Sequence, residues 1–337
     1  MNLTMWRKAL TIIPNISKQE WDELDIISKW LISTRAAVLV MTAMSAVLAG
    51  LFAWRDNSFY LLPWVALTFR LVMAHASNNL LNDYVDYSRG VDRNNYFRTM
   101  YGPHPLENQL MTQRQHLTYF AITGLLALVC GVYLVWQNDF NGTSWFLLGA
   151  GAFFLLFYTW PLKYIAMGEI AVFLVWGPLM VGGGYFVITH HWNWSVIITS
   201  FIYALGVTTV IFGKHIDKLD PDRQKNINTL PAILGEKTSR YVVVTMMTIP
   251  FVLVLYLVAT GIFSPVLLLT LLALPRYRQV VPAFLLPKPA ECPPDFPRGQ
   301  GGWPLYFAPM AFLYNRTFGS LFVLGLLADA ILKRIVA

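Results

Sequence analysis

Residues 77–92, SNNLLNDYVDYSRGVD, combine three asparagines with three aspartates directly after an apolar run. If that run continues as a helix through this stretch, Asn79, Asp83 and Asp86 are spaced i, i+4 and i+7 and lie along one face. Asn82 is likewise four residues before Asp86. Amide and carboxylate oxygens suit a hard cation such as Mg²⁺, which keeps several waters and is usually completed by phosphate oxygens. The stretch therefore predicts a magnesium site.

A second acidic stretch, GKHIDKLDPDRQKNINTLPAILGEK at 213–237, follows a later apolar run. Its acidic residues at the start are Asp217, Asp220 and Asp222. Basic residues are interleaved with the two stretches, and they are Arg89, Arg93, Lys214, Lys218, Arg223 and Lys225. Magnesium and basic side chains together bind phosphate oxygens, which describes a diphosphate site. One acidic helix end alone is most often solvated or capping, but two such ends with cations beside them favour a functional site.

The composition indicates an integral membrane protein. Of the 337 residues, 56% are hydrophobic and 13% are charged, whereas soluble domains average about 25% charged residues. A membrane-spanning helix needs about 20 mainly apolar residues. We identify nine such segments, at 34–54, 59–81, 117–136, 144–160, 167–189, 194–213, 240–261, 264–286 and 303–332. The prediction is an all-α fold, a polytopic bundle of about nine transmembrane helices that forms one domain over residues 1–337.

Three regions depart from a simple series of spans. Residues 1–33 are predicted to be an amphipathic N-terminal segment, in which residues 1–28 form a helix on the membrane surface. The eighth segment is interrupted by Pro275, Arg276 and Arg278. The ninth contains Asn315 and Arg316, so we expect a short re-entrant piece followed by a span from about 317. Residues 287–316 are accordingly predicted to be a loop or a re-entrant insertion.

The distribution of basic residues predicts an orientation. With the N-terminus in the cytoplasm, most of the 25 Lys and Arg residues fall on one side. The opposite loops at 137–143, 190–193 and 261–263 contain none. The positive-inside rule then places the N-terminus and both acidic stretches on the cytoplasmic side of the membrane and the C-terminus on the opposite side. We predict this membrane to be the cell inner membrane. We therefore interpret the formal charge of +7 as the result of membrane orientation and of contact with anionic lipids, and we expect no nucleic-acid partner.

Four motifs carry a resemblance to a known family. They are NDYVD at 82–86 with a further Asp at 92, DKLDPD at 217–222, TLPAILG at 229–235, and FYTWPLKYIAMGEIAVFLVWGPLMVGGGYFV at 157–187. In these motifs the chain resembles the UbiA superfamily of intramembrane prenyltransferases. It is most similar to the menaquinone-pathway branch, whose members prenylate 1,4-dihydroxy-2-naphthoate. The resemblance covers residues 34–261.

The resemblance implies nine transmembrane helices around a central cavity, and Mg²⁺-dependent transfer of a prenyl chain from a polyprenyl diphosphate to an aromatic acceptor. That acceptor would be 1,4-dihydroxy-2-naphthoate or a related quinone precursor. The implied magnesium ligands are Asp83, Asp86, Asp217 and Asp220, with Asp222 as a further member of the second motif. The residues implied to bind the diphosphate are Asn79, Asn82, Arg93, Lys214 and Lys225. Tyr158 and Lys163 are similar to a Tyr and a Lys that many members place near the diphosphate.

Two alternatives remain open. A transferase of the same type could use a sugar phosphate, a porphyrin or a lipid as acceptor. A cation transporter also needs intramembrane carboxylates, but these carboxylates lie at helix ends and not at the membrane midplane, which argues against transport.

Three further ionisable residues are expected to serve other roles. Glu169 is expected to form a salt bridge, and His215 to be a polar residue at a helix end. Arg70 lies 13 residues before Asp83, about 20 Å along a helix, which is too far to reach the same diphosphate. We predict that Arg70 forms a buried ion pair or extends its side chain to the membrane surface.

Overall fold

The computed structural model describes residues 2–93, 102–294, 296 and 303–336, and the regular structure of these residues is helical. The first half contains α1 (Leu3–Thr11), α2 (Lys18–Glu23), α3 (Ile26–Ser33), α4 (Ala36–Arg55), α5 (Leu61–Ser88), α6 (Gln113–Gln137) and α7 (Gly142–Phe157). The second half contains α8 (Gly168–Leu174), α9 (Gly183–Thr189), α10 (Trp194–Asp217), α11 (Leu219–Gln224), α12 (Leu230–Leu234), α13 (Glu236–Ala259), α14 (Leu274–Leu285) and α15 (Phe307–Val336). Leu162–Tyr164 and Pro265–Ala273 are 3₁₀-helices, and Val175–Gly182 is a π-helix between α8 and α9. The predicted all-α class is confirmed.

Among the described residues, five helices are long and apolar enough to cross a membrane, by length and composition: α4, α6, the continuous Gly168–Thr189 element, α10 and α13. The helix α7 is apolar but shorter. The remaining predicted segments also lie in helices, in α5, in Pro265–Ala273 with α14, and in α15. The chain is thus a polytopic helical membrane protein, as its composition predicts.

The N-terminal segment is not one surface helix. Instead it forms the three short helices α1, α2 and α3, because strong caps start new helices within it. Ser17 and Glu20 form a capping box at the start of α2. The Asp25 side chain caps α3 by accepting hydrogen bonds from the backbone N–H groups of Ile27 and Ser28, each at 3.0 Å. Short helices separated by such caps are the expected result.

Asp25 also holds α1 in place, since it accepts hydrogen bonds from the backbone N–H of Asn2 and from the indole of Trp6. Burial raises the pKa of Asp25, but the hydrogen bonds from Ser28, Asn2 and Trp6 outweigh it, and the pKa lies well below its usual range. A lowered folded-state pKa contributes stability above the unfolded value of about 4 that is lost as the pH falls below it. We therefore expect hydrogen exchange in α1 and α3 to accelerate as the pH drops below that value, after correction for intrinsic exchange. An Asp25→Asn variant should show fast exchange at neutral pH, and protection equal to the wild type would contradict the assignment.

The ninth segment contains no re-entrant break, which corrects the prediction. The helix α15 runs without interruption from Phe307 to Val336, so residues 307–316 belong to it. Asn315 can stay within the helix because it packs against Gly206 of α10, where an added Cβ would lie 2.2 Å from Asn315 Oδ1. Of the predicted 287–316 loop, residues 295 and 297–302 lie outside the described residues.

The eighth segment changes helix type in its middle. Residues Pro265–Ala273 are 3₁₀-helical, and α14 begins directly after them with Pro275 in its first turn. Proline is tolerated there because the N–H groups of the first turn have no partner within the helix. The proline that interrupts the apolar segment in sequence therefore marks the start of a new helix.

The chain divides into two compact units. Unit 1 comprises Met1–Ala46 and Val65–Pro161, and unit 2 comprises Val47–Trp64 and Leu162–Ala337. In unit 1, the N-terminal helices share a core with α5, built on Trp21, Ile32 and Ala76. In unit 2, α10 packs against α13, α15 and the π-helix. The first acidic stretch belongs to unit 1 and the second to unit 2.

A corner of unit 2 gathers basic residues at the far end of α15. Asp329 accepts a hydrogen bond from Arg55 Nε at 2.6 Å, and Asp56 lies 3.1 Å from Lys333 Nζ. The guanidinium of Arg334 stacks over the ring of Trp54 at 4.4 Å. Each of these three basic side chains therefore has an acidic or aromatic partner within the unit.

Candidate active site

The first acidic stretch lies on a single helix. The helix α5 continues to Ser88, past the end of the apolar run, so the predicted stripe of Asn79, Asp83 and Asp86 exists. These three side chains are buried, with Asp83 only 1% exposed. A carboxylate is this deeply buried only where charges or hydrogen bonds compensate its lost hydration. The stretch is consequently not a solvated helix end.

Arg35 supplies that compensation. Its Nη2 lies 2.9 Å from Asp83 Oδ1, 3.1 Å from the backbone carbonyl of Asn79 and 3.4 Å from Asn82 Oδ1. Arg35 sits between α3 and α4 in the left-handed region, at φ 55°, which turns the chain between the two helices. Nothing in the sequence pairs Arg35 with Asp83, because they are 48 residues apart. This residue is therefore an addition to the predicted site.

The asparagines of the stretch anchor α5 to its neighbours. Asn79 Nδ2 donates to the carbonyl of Thr34 at 2.8 Å, and Asn82 Nδ2 donates to Thr159 Oγ1 at 3.1 Å. In the described part of the chain, the side-chain oxygen of Asn79 accepts no hydrogen bond. Asn79 thus holds the helix with its nitrogen and keeps its oxygen available as a ligand.

Asp92 does not join this face. It pairs with His104 Nε2 at 3.1 Å, and both side chains are buried. The other ring nitrogen of His104 accepts backbone hydrogen bonds from Leu106 and Glu107 at 3.2 Å each. The last aspartate of the stretch thereby fixes the turn that leads into α6.

In the second acidic stretch, Asp217 caps another helix. Its Oδ1 accepts hydrogen bonds from the backbone N–H groups of Tyr306 at 2.9 Å and Phe307 at 3.1 Å, and its Oδ2 accepts one from Ala308 at 3.0 Å. These are the unpaired N–H groups at the start of α15, where a negative charge also favours the helix dipole. The sequence could not indicate this role, because the donors lie about 90 residues further along the chain.

The other two carboxylates of this stretch have different surroundings. Asp222 is buried and lies 3.6 Å from Lys218 Nζ, whereas Asp220 is exposed. Among the described residues, no group of three or more His, Cys, Asp or Glu side chains is arranged to hold a metal ion. The donor chemistry still suits Mg²⁺, whose coordination is commonly completed by water and phosphate oxygens around one or two carboxylates. The predicted ligand set remains a prediction.

The close approach of α10 and α15 depends on Gly213. A Cβ added there would lie 2.8 Å from backbone atoms of Phe307 and Ala308, at the helix end that Asp217 caps. We expect Gly213→Ala to destabilise the protein by about 1–3 kcal/mol, because backbone atoms must shift to make room. Thermal unfolding in detergent measures this effect. Gly149→Ala is the matched control, since a Cβ there meets nothing within 4 Å, and an equal loss in both variants would contradict the contact.

Glu169 connects three elements of unit 2. The carboxylate lies 2.5 Å from His215 Nδ1 of α10, and it accepts the backbone N–H of Leu230 at 3.3 Å. The side-chain partner of Glu169 is therefore His215. A backbone bridge between Ile165 and Asn228 adds a second link between the turn that carries Lys163 and the second acidic stretch.

The remaining predicted diphosphate residues lie at helix ends. Tyr158 follows the last residue of α7 as its cap. Arg93 lies in the turn after α5. Lys214 is in the last turn of α10, and Lys225 follows α11. Lys163 is in the 3₁₀ turn, with its Nζ 5.9 Å from the ring centre of Tyr164. Tyr158 and Arg93 belong to unit 1, and the three lysines belong to unit 2.

The chain is similar to known proteins in sequence and in fold. Residues 43–292 match the UbiA prenyltransferase family. The chain is 25% identical over 255 residues to the UbiA prenyltransferase domain-containing protein 1 homolog of Drosophila melanogaster, covering 74% of this chain and 68% of that protein. It is 27% identical over 223 residues to the 1,4-dihydroxy-2-naphthoate octaprenyltransferase of Escherichia coli (strain K12), covering 63% of this chain and 70% of that protein. The fold is similar to that of a UbiA homolog from Archaeoglobus fulgidus bound to GPP and Mg²⁺, with a TM-score of 0.55, 14% identity, and coverage of 89% of this chain and 99% of that one.

The chain therefore belongs to the UbiA prenyltransferase family, as its acidic motifs predict. It is an enzyme of the prenyltransferase class.

Proposed function

We propose that this protein transfers a polyprenyl chain from a polyprenyl diphosphate to an aromatic acceptor in an Mg²⁺-dependent reaction. The observation that carries the proposal is the buried face of α5, where Asn79, Asp83 and Asp86 lie together and Arg35 is 2.9 Å from Asp83. Buried carboxylates gathered on one helix face are typical of a site that binds a cation or a charged substrate. The GPP and Mg²⁺ of the Archaeoglobus homolog support the proposed donor and metal. The proposed site lies on the cytoplasmic side of the membrane.

The residues proposed to hold magnesium are Asp83, Asp86, Asp217, Asp220 and Asp222. When bound, the metal would neutralise the charge that builds up on the diphosphate as the allylic C1–O bond breaks. The residues proposed to bind diphosphate oxygens are Asn79, Asn82, Arg93, Lys163, Lys214 and Lys225. Basic side chains fixed before the reaction stabilise the leaving group without reorganising in the transition state. Tyr158 is proposed to lie near the allylic group, where its ring face could stabilise the developing cation.

For the acceptor, we propose 1,4-dihydroxy-2-naphthoate or a related quinone precursor. The support is the name of the Escherichia coli relative, which covers 63% of this chain. The Drosophila relative has a name that specifies no acceptor. A sugar phosphate, a porphyrin or a lipid is the competing class of acceptor.

The test uses purified membranes with radiolabelled geranylgeranyl diphosphate, Mg²⁺ and a panel of aromatic, sugar-phosphate, porphyrin and lipid acceptors. We expect label in the naphthoate product, and no product after EDTA treatment until Mg²⁺ is restored. Label in the product of a different acceptor class would show that the proposed acceptor is wrong, while the proposed prenyl transfer would stand. Cation uptake into proteoliposomes, with no transfer to any acceptor, would overturn the proposal.

A further inference from the structure

Glu169 is a buried carboxylate at the start of α8 that the proposed reaction does not use. A carboxylate in such a place is costly unless hydrogen bonds replace its lost hydration. Its Oε1 lies 2.5 Å from Nδ1 of His215, and both of its oxygens lie 3.3 Å from the backbone nitrogen of Leu230. His215 and Leu230 therefore supply the hydrogen bonds that this carboxylate needs.

The two partners of Glu169 lie at the two ends of one segment. His215 is in the last turn of α10, and Leu230 is the first residue of α12. Tying both ends of a segment to one point reduces the number of conformations that the segment can adopt. The charged residues between the two ends are Asp217, Lys218, Asp220, Asp222, Arg223 and Lys225. Glu169 thereby fixes both ends of the segment 216–229, which carries the second acidic stretch.

The start of α8 also holds the turn that carries Lys163. A Cβ added to Gly168, which precedes Glu169, would lie 3.3 Å from the Cα of Lys163, so this turn packs closely against the helix. A backbone bridge joins Ile165 of the same turn to Asn228, two residues before Leu230. The start of α8 and this bridge therefore connect Lys163 to the segment 216–229, and all of these residues belong to unit 2.

We propose that Glu169, together with His215, is a positioning residue that holds Lys163 and the segment 216–229 in the arrangement that binds the diphosphate of the prenyl donor. The inference rests on the proposed function, which assigns diphosphate binding to Lys163 and Lys225. A ligand binds more tightly when its partners are fixed before it arrives, because less conformational entropy is then lost. Both oxygens of Glu169 are already engaged, so Glu169 acts through these contacts and not by touching the donor.

The first measurement is equilibrium binding of geranylgeranyl thiolodiphosphate, a donor analogue whose C1–S bond resists cleavage, to the protein in nanodiscs with Mg²⁺. Glu169→Ala removes both contacts, and we expect the Kd of the analogue to rise at least about tenfold, as is typical when a supporting residue behind a metal site is lost. Glu169→Gln keeps an oxygen that can accept both hydrogen bonds, so its Kd should stay close to that of the wild type. Glu291→Ala removes an exposed glutamate of the same unit and should also leave the Kd unchanged.

The second measurement is backbone hydrogen exchange without substrate or metal, which reports the contacts themselves. In Glu169→Ala we expect faster exchange across residues 216–234 and unchanged exchange in α13, because the lost contacts are local. His215→Ala releases only the α10 end of the segment, so the amide of Leu230 should stay protected. Faster exchange in α13 as well would mean that Glu169 stabilises the unit as a whole, which would overturn a positioning role.

The outcomes separate this inference from the proposed function. If the wild type and a folded Glu169→Ala bind the analogue equally well, the inference is wrong and the proposed function stands. If the wild type does not bind the analogue, the proposed function fails and the inference fails with it. His215→Ala should weaken binding by a smaller factor than Glu169→Ala, and this variant decides the question if Glu169→Ala does not fold.

Discussion

Replacing Asp83 by asparagine should reduce prenyl transfer by at least about a hundredfold, because the variant loses a charge placed where a diphosphate must be neutralised. Arg35→Gln should also reduce transfer, but for a different reason. It leaves the buried Asp83 carboxylate without the partner that now lies 2.9 Å away. Breaking a buried pair from one side costs about 3–5 kcal/mol, so this variant should unfold at a clearly lower temperature.

The double variant Arg35→Gln/Asp83→Asn separates the two effects. It removes both charges, so much of the stability should return while transfer remains absent. Thermal unfolding and transfer of radiolabelled prenyl groups measure the two quantities in the same preparations. Asp22→Asn, which breaks the exposed pair with Lys18, should change neither. Transfer at the wild-type rate by folded Asp83→Asn would remove this residue from the proposed site.

The second large effect concerns Asp217, which is proposed as a magnesium ligand and is observed as a helix cap. Asp217→Ala should lower stability by about 2 kcal/mol through loss of the cap and should abolish transfer. Asp217→Asn should keep most of the stability, because an amide oxygen can still accept backbone hydrogen bonds at the start of α15. Its charge is lost, so transfer should still be absent.

The comparison of these two variants assigns the role of the carboxylate. The unfolding temperature measures how much the Asp217 cap stabilises the protein. The Mg²⁺ concentration needed for half-maximal transfer measures whether Asp217 contributes to magnesium binding. If folded Asp217→Asn transfers prenyl groups with an unchanged Mg²⁺ requirement, Asp217 is a structural cap alone. The second acidic stretch would then contribute only Asp220 and Asp222 as candidate ligands.

The sequence predicts the first acidic stretch well, because its information is local. Spacing alone places Asn79, Asp83 and Asp86 on one helix face, and the continuous α5 provides that face. Apolar segment lengths likewise predict the helices, since each span satisfies its backbone hydrogen bonds internally. These features need no knowledge of what a helix packs against.

The partners of the acidic residues are not local and could not be predicted. Arg35, which lies between α3 and α4, pairs with Asp83 of α5. Asp217, at the end of α10, accepts hydrogen bonds from the start of α15, about 90 residues later in the sequence. The prediction of a helix break at Asn315 was wrong. A polar residue in an apolar segment suggests a break, but here Gly206 of the neighbouring helix leaves room for the Asn315 side chain. Contacts of this kind depend on packing between helices, which a single sequence does not encode in its spacing.

The ion pairs at the C-terminal end of α15 determine how strongly the membrane potential acts on this part of the protein. In the proposed orientation, Arg55, Lys333 and Arg334 lie at the outer surface of an energised membrane, whose inside-negative potential pulls positive charge inward. That pull amounts to about 2.3 kcal/mol per charge for 100 mV across the full membrane. Asp56 and Asp329 leave one net charge there instead of three, so the voltage acts only weakly on this end of the protein.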